Sequence, residues 1–167
     1  FPLSPFVQKA RTKAGIKNLL GEPGVSNQKE TPIVSGIIEL DELLKSMSPE
    51  IQDGEYVFCT LAGDYLDYKH LSPLASFKES EGLTLIVSVE AAKKEKLVFE
   101  GTFKQITLTV HSSLEAVGLT AAVANKLSSY GISANVIAAY YHDHVFVQTE
   151  KAGQALLALK EFSSEPI

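Results

Sequence analysis

Phe103 to Val110 constrains the chain more than any other stretch. Ile106, Leu108 and Val110 fall on one side of an extended strand, and Gln105, Thr107 and Thr109 fall on the other, because successive strand side chains point to opposite faces. Such a strand belongs in a sheet with one face against a core and a more polar opposite face. The residues beyond it narrow the choice further. From Leu114 to Tyr130, residues Ala116, Leu119, Val123, Leu127 and Tyr130 form one apolar arc at helical spacing. Gly131 stands where a helix closes in a left-handed conformation. Ile132 to Tyr140 then reads as a strand, His142-Asp143 as a turn, and His144 to Thr149 as the hairpin partner. Lys151 to Phe162 reads as a last helix with Ala155, Leu156 and Leu159 inward.

This order of strand, helix, strand, hairpin strand and helix packs as helices on one face of an antiparallel sheet. The fold class is therefore α+β and ferredoxin-like (βαββαβ). Its fourth strand is missing after the last helix, so it is expected from elsewhere in the chain, through interleaving of two units. The first half supplies the second unit. Glu39 to Met47 is a short helix with Leu40, Leu43, Leu44 and Met47 on one face, closed by Ser48-Pro49. Asp53-Gly54 marks a turn, Tyr56 to Leu61 a strand, and Ala62 to Pro73 a loop with one helical turn. Leu74 to Lys78 and Leu83 to Val89 are strands, and Glu90 to Lys96 is a charged helix. A weak internal repeat supports the division: Leu83 to Val87 aligns with Asp143 to Val147, and Val87-Ser-Val-Glu90-Ala-Ala92 with Val147-Gln-Thr-Glu150-Lys-Ala152. The expected layout is an extension at 1–34, a first unit at 35–102 that is incomplete or permuted, a second unit at 103–162, and a fraying tail at 163–167. The helix Glu39 to Met47 is assigned to the first unit.

Charge and composition exclude several functions. The net charge of −5 argues against broad nucleic-acid binding, which needs a basic surface. A single cysteine, Cys59, excludes an internal disulfide and a multi-cysteine metal site; its apolar surroundings predict a buried structural thiol. No apolar run approaches the roughly 20 residues of a membrane span. The extension is punctuated by proline and glycine, with a short helix conceivable only over Ala10 to Leu20. Its first part carries Lys9, Arg11, Lys13 and Lys17 without an acid. That leader reads as a solvated extension or as the remnant of an organelle-targeting segment from a longer precursor; otherwise the expected location is the cytoplasm.

The residues with most chemistry lie at the joint between the alternating strand and the helix, His111-Ser-Ser-Leu-Glu-Ala-Val-Gly118. A helix start at Leu114 leaves unpaired N–H groups and a partial positive charge, a natural seat for a carboxylate. Ser112 and Ser113 are placed to cap or to contact a ligand, Glu115 to receive an ammonium group, and Gly118 to admit close approach. The same residues also read as an ordinary corner: Ser113 as N-cap, Glu115 as a complement to the helix dipole, Gly118 as a packing contact. His142 and His144 stand in an H-x-H spacing, with His111 as a third candidate metal ligand. Asp143 between them is a turn residue by its local hydrogen-bonding habit. Ser112 beside His111 lacks a nucleophile motif and an orienting acid, so a hydrolase is not supported.

The run Ile106-Thr-Leu-Thr-Val-His-Ser-Ser-Leu-Glu-Ala-Val-Gly-Leu-Thr120, with Tyr130-Gly-Ile-Ser-Ala-Asn-Val136 and His144-Val-Phe-Val147, resembles an ACT domain, the regulatory ligand-binding module of aspartokinases. Met47-Ser-Pro-Glu50, Tyr56-Val-Phe-Cys-Thr60, Glu81-Gly-Leu-Thr84 and Tyr140-Tyr-His-Asp-His144 extend the resemblance over about 35–162, to an uncharacterised family of short proteins with paired ACT domains. The resemblance implies ligand binding where the first strand meets the first helix, over His111, Ser112, Ser113, Leu114, Glu115, Ala116, Val117 and Gly118. It adds Asn135, Val136, Ile137 and Ala138 from the facing strand. Many ACT domains place an acidic residue and a proline before the loop glycine, whereas this chain has Glu115-Ala-Val. The implied function is non-enzymatic sensing of a small amino acid or related metabolite, without a cofactor, in a homodimer that binds neither nucleic acid nor membrane. A ligand-free dimerisation or protein-interaction module is the alternative. A metal-dependent enzyme using His111, His142 and His144 is a third.

Overall fold

The computed structural model describes residues 39–110, 112 and 115–164. The expected extension at 1–34 and its basic leader lie outside these residues, as do His111, Ser113, Leu114 and the end of the tail. Helix α1 (Leu40–Ser46) is followed by strands β1 (Pro49–Ile51) and β2 (Tyr56–Leu61). Then come α2 (Tyr65–Tyr68), β3 (Ala75–Lys78), β4 (Leu83–Ser88) and α3 (Val89–Lys94). The second half runs β5 (Phe103–Leu108), α4 (Leu119–Ser129), β6 (Asn135–Ala138), β7 (Asp143–Gln148) and α5 (Ala152–Ser164). No helix among the described residues is long and apolar enough to cross a membrane.

The strands form one antiparallel sheet in the order β3-β4-β2-β5-β7-β6, and β1 pairs with β5 beside β2. Around β5, the second half has the order β1-β5-β7-β6, so the expected missing strand is β1. It aligns Pro49 with Leu108, Glu50 with Thr107 and Ile51 with Ile106. Ser48 closes the junction: its carbonyl accepts the Thr109 N–H at 3.2 Å and also the Thr109 hydroxyl. The first half is the β3-β4-β2 hairpin system, joined to the second where Tyr56 meets Phe103. The repeat seen in the sequence is real in three dimensions. Leu83–Ser88 and Asp143–Gln148 show the same succession of buried and half-buried positions, residue for residue.

Two cores share one face of the sheet. Val57, Cys59, Leu83, Leu85 and Val87 pack with Leu71 and Ala92 in the first. Ile106, Leu108, Val145 and Val147 pack with Val123, Leu127, Ala155 and Leu159 in the second. Helix α1 falls within the stretch expected to form the first unit, yet Leu43 and Met47 lie in the second core. The reason is the short link to β1: pairing of β1 with β5 carries α1 over the second half. Cys59 is buried as expected, and burial pushes its thiol pKa up.

Two local expectations are corrected. Helix α4 starts at Leu119, not Leu114, because Gly118 takes φ +101° and stands as its N-cap. A left-handed residue cannot sit inside a right-handed helix, so the turn at 115–118 is outside it. The tail expected to begin at Ser163 is still helical at Ser164. There the hydroxyls of Ser163 and Ser164 donate to the Lys160 carbonyl at 3.0 and 3.2 Å.

The opposite face is more apolar than the alternation in β5 predicts. Phe58 packs edge-on against Phe103 and Phe146, with centroids 5.1 and 5.6 Å apart, and Tyr56 meets Phe146 at 6.1 Å. Gln105 and Thr107 on this face are buried. The aromatic groups come from three different strands, so no single strand's pattern reveals the cluster.

Candidate functional site

The loop after β5 leaves the sheet through two tight turns. The Val110 N–H donates to Leu108 O at 2.7 Å, and the Ser112 N–H to Val110 O at 3.1 Å. The tip of the β6–β7 hairpin is bonded to this loop: His142 Nδ1 donates to Val110 O at 3.2 Å. A carbonyl only accepts, so that ring nitrogen carries the proton. Ser112 is buried, Glu115 is exposed, Ala116 is half-buried against the second core, and Val117 is 83% exposed. Gly118 is backed by α1, since a Cβ placed there would lie 3.0 Å from Leu40 Cδ2. The glycine's close approach is therefore to a leucine side chain. The N-cap of α4 is Gly118, which has no side chain to supply the cap bond a serine there would give.

The pleat divides the four candidates on β6. Val136 and Ala138 pair with Val145 and Asp143 and share the helix-covered face. Asn135 and Ile137 pair with Phe146 and His144 and belong to the opposite face. The Asn135 side-chain amide donates to Phe146 O at 3.2 Å. Only the first pair stands on the face that carries α4.

Asp143 is not the turn residue that its position beside a hairpin tip predicts. It is the first residue of β7, opposite Leu108 and Ala138, with its side chain toward the helices and only 5% exposure. Burial pushes its carboxyl pKa up, against the opposing pull of His144 and His142. It accepts no hydrogen bond from any described residue. The sequence carries a signal for it: the repeat sets Asp143 on Leu83, a buried strand position.

His144 projects to the other face. Gln105 Nε2 donates to its Nδ1 at 3.0 Å, and Thr107 Oγ1 lies 3.1 Å from the same atom. An amide N–H only donates, so Nδ1 accepts and the proton sits on Nε2. Burial pushes the His144 pKa down, followed by the charge of His142, with Asp143 acting in the opposite sense. A folded pKa below the unfolded one gives stability that is complete above about pH 6.5 and is lost as pH falls through the folded value. The urea midpoint is therefore expected to fall between about pH 7.5 and 5.5, and more steeply in the wild type than in His144→Asn. Parallel slopes would exclude His144 as the cause. Asp143, with a raised pKa, acts in the opposite direction. Among the described residues no group of three His, Cys, Asp or Glu side chains is placed to hold a metal, and the Nδ1 atoms of His142 and His144 are both engaged.

Models of the ACT domain match residues 35–104 and 101–161. A Vibrio cholerae protein of unknown function, named a possible transport protein, is 60% identical in sequence; the match covers 74% of this chain and 95% of that one, with a TM-score of 0.70. This chain is a tandem ACT-domain protein. Its two ACT domains also share their fold with the regulatory subunit of aspartate kinase from Thermus thermophilus, at TM-score 0.54 and 9% identity, over 71% of this chain and 97% of that one. A protein from Agrobacterium tumefaciens is similar at TM-score 0.55 and 14% identity, over 70% and 89%. None of the curated proteins matches the sequence. In this tandem ACT-domain protein the strand-to-helix corner of the second domain is the loop from Val110 to Gly118.

Proposed function

We propose that this tandem ACT-domain protein is a non-enzymatic sensor of a small amino acid or related metabolite, and that it works as a homodimer in the cytoplasm. The site is the corner formed by the loop His111 to Gly118, the start of α4, and Val136 and Ala138 on β6. The observation that carries this reading is a helix start in an ACT domain whose N-cap is a glycine, Gly118. The backbone N–H groups and the positive end of the dipole at a helix start suit a carboxylate. The likeness to regulatory domains of aspartate kinases supports a regulatory rather than a catalytic role. Ligand binding then shifts the packing of domains or subunits by differential affinity for two arrangements.

The test is thermal unfolding of the full chain with each free L-α-amino acid. A specific ligand present at about 100 times its Kd stabilises the folded state by about 2.7 kcal/mol, so one or a few amino acids are expected to raise the midpoint in proportion to the logarithm of concentration. Uniformly flat curves would sink the reading. A second reading, a ligand-free dimerisation module, draws on Tyr140 and Tyr141. They stand 55% and 48% exposed at the β6–β7 turn, with their rings 4.9 Å apart. It predicts a melting point that rises with protein concentration but responds to no amino acid.

A further inference from the structure

We propose that the two domains are unequal as receptors: the strand-to-helix corner of the first is filled by a carboxylate of the chain itself, Asp67, so that one chain takes one amino acid, in the second domain. The inference rests on the sensing function proposed above and fixes how many sites serve it. Each domain turns from its first strand into its first helix through a left-handed glycine, Gly63 at φ +112° after β2 and Gly118 at φ +101° after β5. The fifth residue after the glycine is Tyr68 in one domain and Val123 in the other, and each packs against its own domain's core. The two corners are therefore equivalent in chain path. The fourth residue differs: it is Asp67 in the first domain and Ala122 in the second.

Asp67 is turned back over its corner. Its Oδ2 accepts the N–H of Asp64, the N-cap of α2, at 3.0 Å. A Cβ placed on Gly63 would lie 2.8 Å from the same oxygen. The carboxylate thus lies against the glycine and holds a backbone donor that a ligand's carboxylate would otherwise reach. The rest of the turn is engaged as well. The Tyr68 hydroxyl donates to Ala62 O at 2.5 Å, and Lys78 Nζ pairs with Asp64 Oδ1 at 3.3 Å. An incoming carboxylate would have to displace Asp67 and lie beside Asp64, and like charges at close range repel. Helix α2 has four residues, too few aligned peptide dipoles to offset that repulsion. In the second domain the four residues after Gly118, Leu119-Thr120-Ala121-Ala122, include no carboxylate.

The experiment compares wild type, Asp67→Asn and Asp67→Ala as full chains. Free L-α-amino acids are screened by thermal unfolding, and the one that raises the wild-type melting point is titrated calorimetrically and followed by hydrogen exchange. One site per chain is expected, with protection gained in α4 and β6 and none gained over residues 61–68. Asp67→Asn is expected to keep that number of sites and that affinity. Two sites per chain, protection gained over 61–68, or weaker binding by Asp67→Asn would each put the first corner in use. These results overturn the inference and leave the sensing function standing. The seating of the carboxylate is read without any ligand: the amide proton resonance of Asp64 is expected to move upfield in Asp67→Ala, and an unmoved resonance overturns the inference as well. A wild type that responds to no free amino acid overturns both.

Discussion

Leu43→Ala is expected to lower the unfolding free energy by about 2–5 kcal/mol, although the residue sits on a helix of seven residues. Leu43 has no solvent exposure and belongs to the core built on Ile106, Leu108, Val145 and Val147. Removing its branched end leaves a cavity against a sheet that cannot follow it inward, and a cavity adds to the lost transfer energy. The location of the damage is the sharper part of the expectation. Hydrogen exchange in Leu43→Ala should accelerate most in β5, β7, α4 and α5, with β3 and β4 affected less. Greatest loss of protection in β3 and β4 would mean that α1 serves the first domain after all.

Phe146→Ala is expected to cost about 3–5 kcal/mol, from the face of the sheet opposite the helices. Phe146 is 1% exposed and touches rings from β2. Those contacts reach across β5, between strands whose backbones do not pair, so they tie the two domains together by side chains. The double-mutant cycle with Phe58→Leu should return a coupling of about 0.5–1.5 kcal/mol, the size measured for edge-to-face ring pairs. Additive losses would show the rings to be independent. A change in Phe146→Ala below about 0.5 kcal/mol, the range of ordinary surface substitutions, would show that this face is not part of the stable core.

Much of the fold is legible in the sequence because its signals are local. The alternation from Gln105 to Val110, the arc on α4 and the glycines at turns act over a few neighbouring residues, and they place β5, α4, β6, β7 and α5 to within a few residues. The departures have local causes too. Pro49–Ile51 is three residues long, too short for a period of two to register, so sequence pattern alone does not name the donor of the missing strand. The helical arc sets the start of α4 too early because Ala116 fits it, whereas the backbone turn at Gly118 outweighs one apolar position. Beside the candidate corner, strand β6 is legible. The pleat then separates Asn135 and Ile137 from Val136 and Ala138. Asp143 looks like a turn former, as an aspartate next to a hairpin tip does, although the repeat that sets it on Leu83 points to the buried strand position it takes.

By itself, the sequence determined the order and type of the elements other than β1 and the repeat that relates β4 to β7, since these depend on spacing along the chain, and its motifs carried the resemblance to ACT domains. The tertiary structure alone decided which elements share a core and which polar side chains it encloses. Helix α1 and strand β1 precede the rest of the first domain, yet they complete the second, because pairing along β5 depends on free edges in space and not on distance in sequence. The same holds for Asp143: whether its carboxyl is solvated or enclosed depends on Leu108 and Ala138 on either side, and neither is its neighbour in the chain.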